Sequence, residues 1–477
     1  MKSRVMVILV SVMLTVSISN AQPGEHTSTS GGQVIRLIRN EKLDLILPGA
    51  MRDNHVDMWI HVTRAGDPDP MAPEFGSTVG YLIFTDLGNR IERAVFGDPG
   101  AVEKIDVRGS EEIARAIEGY DYRTQDFSVY NEMTKFVAER DPKTIAVNTS
   151  DWLAIADGIS HSQYVKLEKI LGPKYSKRIV SAENVITSYR TRRILREVSA
   201  LTEVLQVQYE LMGRGLSREV ITPGVTTIAD VGNWIKEEFF KRHLTGYSIR
   251  AEGPRVLYSA KSKPISPPDV RYWIDDSSYV LQPGDFFTWD VGCRYLDYFE
   301  TDFKRNGYIC REGETDIPDE IGHAFDRAME ANEIIRKNIK VGRTAGETLK
   351  VLVSALENAG YIYTPFTDRG TEDYKLIQKA LANTDKSGFS IDCHTLGDGG
   401  GSLVTVGPSI APFRQDRAHL MIEENHFFSF EFMVQTNLPT LRPGFPISLN
   451  IEHDAVVSSR GVEYPFPPQT KNIILIH

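Results

Sequence analysis

Five side chains in the C-terminal half of the chain are of types that hold a divalent metal: Asp290 in TWDVG, Asp302 in ETDFKR, His394 in DCHTLG, Glu431 in FSFEF and Glu452 in NIEHD. Each stands at or near the end of an apolar, β-rich run, where the backbone is stiff enough to fix a ligand. Carboxylates brought close together repel unless something cationic lies between them, and a bridging divalent metal removes that cost. Carboxylates mixed with an imidazole suit Mn2+, Co2+, Fe2+ or Zn2+ better than Ca2+ or Mg2+. Each residue also has a plainer reading. Asp290 and Asp302 could form an acidic surface hairpin, because Asp285, Asp297 and Glu300 are near in sequence, and a single histidine more often serves packing than ligation. Glu431 resists that reading, since an acid inside FFSFEFMV is costly to bury without a partner. The pattern points to dinuclear, metal-dependent catalysis.

The elements that must position these groups can be read from patterning. WDVGCRYLDYFETDFKRNGY alternates as the two strands of a hairpin, with Asp290 and Asp302 facing each other across it. His394 follows the β-like run GFSIDC and precedes the glycine-rich turn LGDGGGS, and Glu431 and Glu452 lie on successive strands. Upstream, Ile221 to Thr226 opens a helical stretch carrying Ile228, Val231, Ile235 and Phe239; 118 residues later, Ile339 to Thr344 opens another, with Thr344 and Glu347 at capping-box spacing. The Gly-x-Thr match suggests two similar halves about a pseudo-twofold axis. From Val34 to Ser188 short apolar runs alternate with helix-like stretches, as in an α/β domain. A helix is expected over Tyr189–Arg214, stopping near Gly213, and a domain boundary just before it, near Ser188.

At 477 residues the chain exceeds one ordinary core, and its 41% hydrophobic and 25% charged residues describe a soluble globular protein. Residues 1–21 read as a secretory signal, with Lys2 and Arg4 ahead of an apolar run from Val5 to Ile18 and small residues before a cleavage point after Ala21. Residues 22–33, QPGEHTSTSGGQ, read as a flexible tail. Loss of Lys2 and Arg4 would take the net charge from −10 to −12, which argues against nucleic-acid binding as the main role. The expected location is secreted or periplasmic, with no membrane span after signal cleavage. Cys293, Cys310 and Cys393 cannot all pair within one chain; buried apolar thiols, one disulfide involving Cys293 or Cys310, or thiolate ligation are the alternatives.

The order Asp, Asp, His, Glu, Glu resembles the pita-bread metallopeptidases, the superfamily of aminopeptidase P, prolidase, methionine aminopeptidase and the metal-free creatinase. The resemblance covers roughly residues 34–477 and extends to LQPGDFFTWDVG, to Arg305 after Asp302, and to HDAVVSSRGVEY after the last glutamate. It implies an α/β two-domain fold: a creatinase-type N-terminal domain over 34–188 and a duplicated catalytic domain over 189–477. It further implies two metals, manganese first and cobalt, zinc or iron as alternatives, shared by Asp290, Asp302, Glu431 and Glu452, with His394 completing one sphere and Glu431 as general base. Cleavage between a first residue and a following proline in small peptides, and a homodimer, are also implied.

Several positions depart from the family pattern. Asp290 and Asp302 are 12 apart, one residue more than expected, to be absorbed in the turn or a bulge. Gly401 and Asn450 stand where proline-specific members carry a histidine and an arginine, and the segment before Asp290 lacks another expected histidine. Tyr258, and Asp398 in the altered turn, are candidate stand-ins for substrate binding or proton transfer. Two other readings stay open: the same metal chemistry on a non-peptide amide or C–N substrate, and a catalytically silent binding protein.

Overall fold

A computed structural model describes residues 26–64, 69–75, 80–97, 128–246, 252–260, 273–296, 298–366, 371–396, 406–469 and 473–477. The proposed signal lies outside them. The proposed tail lies partly outside, and from His26 it is helical: α1 runs His26–Leu45. Its C-terminal portion is anchored by buried Ile38 and Leu43, and extending a helix from such an anchor adds one hydrogen bond per residue fixed. Among the described residues no helix is long and apolar enough to cross a membrane.

Those residues form three sheets. The first contains β1 (Met58–Thr63), β2 (Gly80–Asp86), β3 (Ile91–Gly97), β4 (Ile145–Val147) and β5 (Ile179–Ser181), in the order β3-β2-β1-β4-β5. The second contains β6 (Thr245–Gly246), β7 (Arg255–Tyr258), β8 (Phe286–Tyr295) and β9 (Phe299–Ile309). The third is built from β10 (Ile362–Tyr363), β11 (Gly388–Ile391), β12 (Cys393–Thr395), β13 (Ser409–Ile410), β14 (His426–Leu438), β15 (Arg442–Ser458) and β16 (Gly461–Glu463). Finally β17 (Ile474–Ile476) returns to pair with β9.

The expected helix over Tyr189–Arg214 is two helices, Glu183–Thr191 and α2 (Leu195–Gly215), so Ser188 lies inside the first. The break is fixed at Ile194, which is extended and donates its N–H to Glu197 Oε2 at 2.9 Å. Gly213 does not stop α2. At Gly215 the helix comes so close to Trp289 of β8 that a Cβ would meet the ring at 2.6 Å. Gln208 of α2 donates to the Val291 carbonyl, and Tyr298 in the hairpin turn donates to Glu74 Oε2 at 3.0 Å. The β8–β9 hairpin is thereby held at its middle and its tip.

The duplication is visible in paired interactions. Helices α3 (Ile228–Lys241) and α4 (Ala345–Asn358) both begin at a threonine with a capping box, Thr227/Asp230 and Thr344/Glu347. Thr344 therefore corresponds to Thr227, one residue later than the Gly-x-Thr match suggested. Thr227 bridges Val280 and Thr344 bridges Met421, and each partner lies ten residues before a candidate ligand, Asp290 or Glu431. Between bridge and ligand the two halves read FFTWD and FFSFE. Thr344→Ala should lower unfolding stability by about 1 kcal/mol by leaving the Glu347 N–H without its side-chain acceptor, measured as a lower denaturant midpoint with unchanged slope.

Candidate metal centre

Strands β8 and β9 pair in one unbroken register from Phe286↔Tyr308 to Tyr295↔Phe299. The extra residue between the aspartates is taken up in the turn, where Leu296 has φ 56°, and not by a bulge in this ladder. The turn sets a register that places Asp290 opposite Lys304 and Asp302 opposite Gly292. The two aspartates thus do not face each other; they are diagonal neighbours, with a lysine across from the first. On the third sheet Glu431 pairs with Glu452, and His394 of β12 pairs with Ser429. The sheets meet where the Asp302 N–H donates to Asp454 Oδ1 at 3.2 Å. Burial and the neighbouring Asp302 push the Asp454 pKa well above the ordinary value.

Lys304 is the residue that the sequence reading passed over. Strand alternation puts it on the same face as Asp302, two residues before it, and its side chain is 1% exposed. Its ammonium donates to Glu431 Oε1 at 2.8 Å and to Glu452 Oε2, and lies 3.3 Å from Asp290 Oδ2. Burial opposes the charge, but Asp290, Glu431, Glu452 and Asp302 outweigh it and hold the lysine pKa well above its usual value. The cation that the carboxylates require is thus, in part, supplied by the chain itself.

One metal position fits the remaining donors. Ligand atoms of Asp302, His394 and Glu452 all lie within 4.8 Å of one another, and His394 Nε2 is 3.7 Å from Glu431 Oε2. His394 Nδ1 is 3.2 Å from the Thr395 carbonyl, which can only accept, so this nitrogen carries the proton and the Nε2 lone pair is turned toward the carboxylates. Burial lowers the His394 pKa despite Glu431, keeping the ring neutral as ligation needs. Ser429 donates to Glu452 Oε1, and Asn450 donates to Glu431 Oε1 at 2.8 Å, which leaves Oε2 of Glu431 directed at His394. Burial, then Asp302 and Glu431, raise the Glu452 pKa well above the ordinary range, against the pull of Lys304. The second position expected beside Asp290 fits poorly, because the ammonium fills it.

Asp290, His394 and Glu431 line a cavity of about 360 Å³ whose other walls include Trp273, Phe366, Tyr374, Phe413, Arg255 and Arg414. Tyr258 does not line it. Residues Arg255 and Leu257 of β7 do, and Tyr258, paired with Phe286 across a register shift in the β7–β8 ladder, is instead buried in the apolar cluster with Phe286 and Tyr308. Asp398 and Gly401 lie outside the described residues. His453 is turned away and packs edge-on against Tyr464, while His426 meets Thr191 Oγ1 at 3.2 Å. All three cysteines are buried free thiols. Burial pushes the Cys293 thiol up to about 12, and its Sγ lies against Thr301 Oγ1 at 3.3 Å and Gln208 Oε1 at 3.5 Å.

The family model of metallopeptidase family M24 matches residues 199–459, more than half of the chain, and the chain belongs to that family. Fold and family together define a metallopeptidase with the two-domain α/β pita-bread architecture. No curated protein matches by sequence. Among solved structures the chain is similar to an X-Pro aminopeptidase from Thermotoga maritima MSB8 (18% identity, 90% of this chain and 99% of that one, TM-score 0.53). It is also similar to the dipeptidase PepE from Mycobacterium ulcerans (16%, 92% and 98%, 0.51) and an Xaa-Pro dipeptidase from Bacillus anthracis (17%, 92% and 99%, 0.50). At these identities the likeness concerns the fold.

Proposed function

We propose that the chain is an exported Xaa-Pro aminopeptidase-like peptidase, with residues 34–188 as its N-terminal domain and 189–477 as its catalytic domain. The observation that carries this reading is the grouping of Asp302, His394 and Glu452 with Glu431 at the wall of the aromatic cavity. Asp302, His394, Glu431 and Glu452 would hold a divalent metal, manganese being the first choice. Such an ion supplies Lewis acidity, which acidifies a water and polarises the scissile carbonyl. Glu431 is the general base: Asn450 and Lys304 fix Oε1, so Oε2 is the oxygen presented to the reacting proton. Trp273, Phe366, Tyr374 and Phe413 give an apolar surface suited to a pyrrolidine ring, and Arg255 and Arg414 bring positive charge for a peptide's carboxylate end. Asp290 reaches a second metal only if Lys304 leaves it. Secretion or a periplasmic location, and a homodimer, accompany the proposal.

Metal analysis of purified protein, with a screen of Xaa-Pro dipeptides and tripeptides, tests it. Wild type should bind metal and release the first residue, and Asp302→Ala and Glu431→Ala should not turn over. Bound metal without turnover of any peptide would defeat the peptidase reading and favour a non-peptide amide or C–N substrate, a choice also motivated by Asn450 replacing the family arginine. Neither metal nor turnover would leave a silent binding protein.

A further inference from the structure

We infer that Lys304 takes the place of one of the two cations around which this carboxylate cluster is organised, so that the working centre holds a single divalent metal beside a built-in ammonium. The inference rests on the proposed metal-dependent reading and narrows it.

Two observations support it. First, the ammonium sits among Asp290, Glu431 and Glu452, three of the four carboxylates expected to share the two metals. Second, the residue has little freedom to leave. It lies mid-strand in β9, directly opposite Asp290. Its neighbours Phe303 and Arg305 occupy the other face, with the Arg305 guanidinium over the Tyr209 ring at 5.0 Å, and the lysine side chain is almost wholly buried. Swinging out would strip the carboxylates of their counter-charge in a low-dielectric setting.

The remaining donors agree with this division. Glu431 gives Oε1 to Lys304 and Asn450 and turns Oε2 to His394, so one carboxylate serves the ammonium on one side and the metal position on the other. Lys304 is thus a positioning residue, setting how many metals bind and which carboxylate oxygens face them.

The test uses the full chain, stripped with a chelator and reloaded with excess Mn2+, followed by removal of free metal, elemental analysis and electron paramagnetic resonance. Wild type should retain one Mn2+ per chain and show the six-line spectrum of an isolated ion. Lys304→Thr, which removes the ammonium and frees the oxygens it engages, should rise to two per chain with an exchange-coupled spectrum. Two ions or a coupled spectrum in wild type would overturn the inference while leaving the metallopeptidase reading intact. No retained metal in wild type would overturn both. A folded Lys304→Thr protein that still holds one ion would show that the lysine does not set the count; if that variant fails to fold, the wild-type stoichiometry and spectrum alone decide.

Discussion

Replacing Lys304 with methionine should lower the stability of the metal-free protein by about 3–5 kcal/mol, the range for removing one partner of a buried ion pair. Methionine keeps most of the stem and none of the charge, so packing is preserved while Asp290, Glu431 and Glu452 lose the cation among them. A divalent metal should restore much of this loss, since a ligand at a hundred times its Kd adds about 2.7 kcal/mol. The pH dependence has a definite sign. The folded-state pKa of Glu452 is already raised above the ordinary 4.5, so its contribution is fully present below that value and is lost as pH rises through the folded pKa. Without the ammonium the folded pKa climbs further, and the metal-free variant should go on losing stability to higher pH than wild type does. Denaturant titrations in chelator and in Mn2+, at several pH values, measure both effects. A chelated Lys304→Met protein as stable as wild type at neutral pH would show that the ammonium does not hold the cluster together.

How far this centre could be read from the sequence follows from what its residues depend on. Local alternation places Asp290, Glu431 and Glu452 on strands, and in the structure those strands converge. The same alternation makes Lys304 share a face with Asp302, and the cost of burying Glu431 calls for a cationic partner. That signal is present in DFKRNGY, where Lys304 stands beside Arg305, the residue that matches the family flank. The diagonal placement of Asp290 and Asp302 was not legible, because it depends on how the turn between Tyr295 and Phe299 takes up one residue. The repeat FFTWD and FFSFE was legible; it is easily missed because its 141-residue offset differs from the 117 residues between Thr227 and Thr344. The cavity was not legible. Trp273, Phe366, Tyr374 and Phe413 come from separate segments and meet only through the tertiary fold.

Glu431→Gln should reduce kcat by about a hundredfold to ten-thousandfold, the usual worth of a positioned general acid–base group, with KM nearly unchanged because the aromatic walls of the cavity are intact. The substitution is nearly isosteric, yet it removes the charge and the basic lone pair at Oε2, the atom 3.7 Å from His394 Nε2. Asp290→Asn provides the contrast. If Asp290 were an indispensable ligand of a second metal, its loss would be as damaging as that of Glu431. With Lys304 occupying that position, Asp290 mainly offsets the ammonium across the β8–β9 pair, and Asp290→Asn should cost no more than about tenfold in kcat, roughly 1.4 kcal/mol in barrier. Both variants are to be assayed on whichever Xaa-Pro peptide the screen identifies, with metal content measured in the same preparations. Equal, near-complete losses for the two, each accompanied by loss of half the bound metal, would mean that a two-metal centre operates despite the lysine. A metal-loaded Glu431→Gln protein that keeps more than about a tenth of the wild-type kcat would remove Glu431 from the role of base.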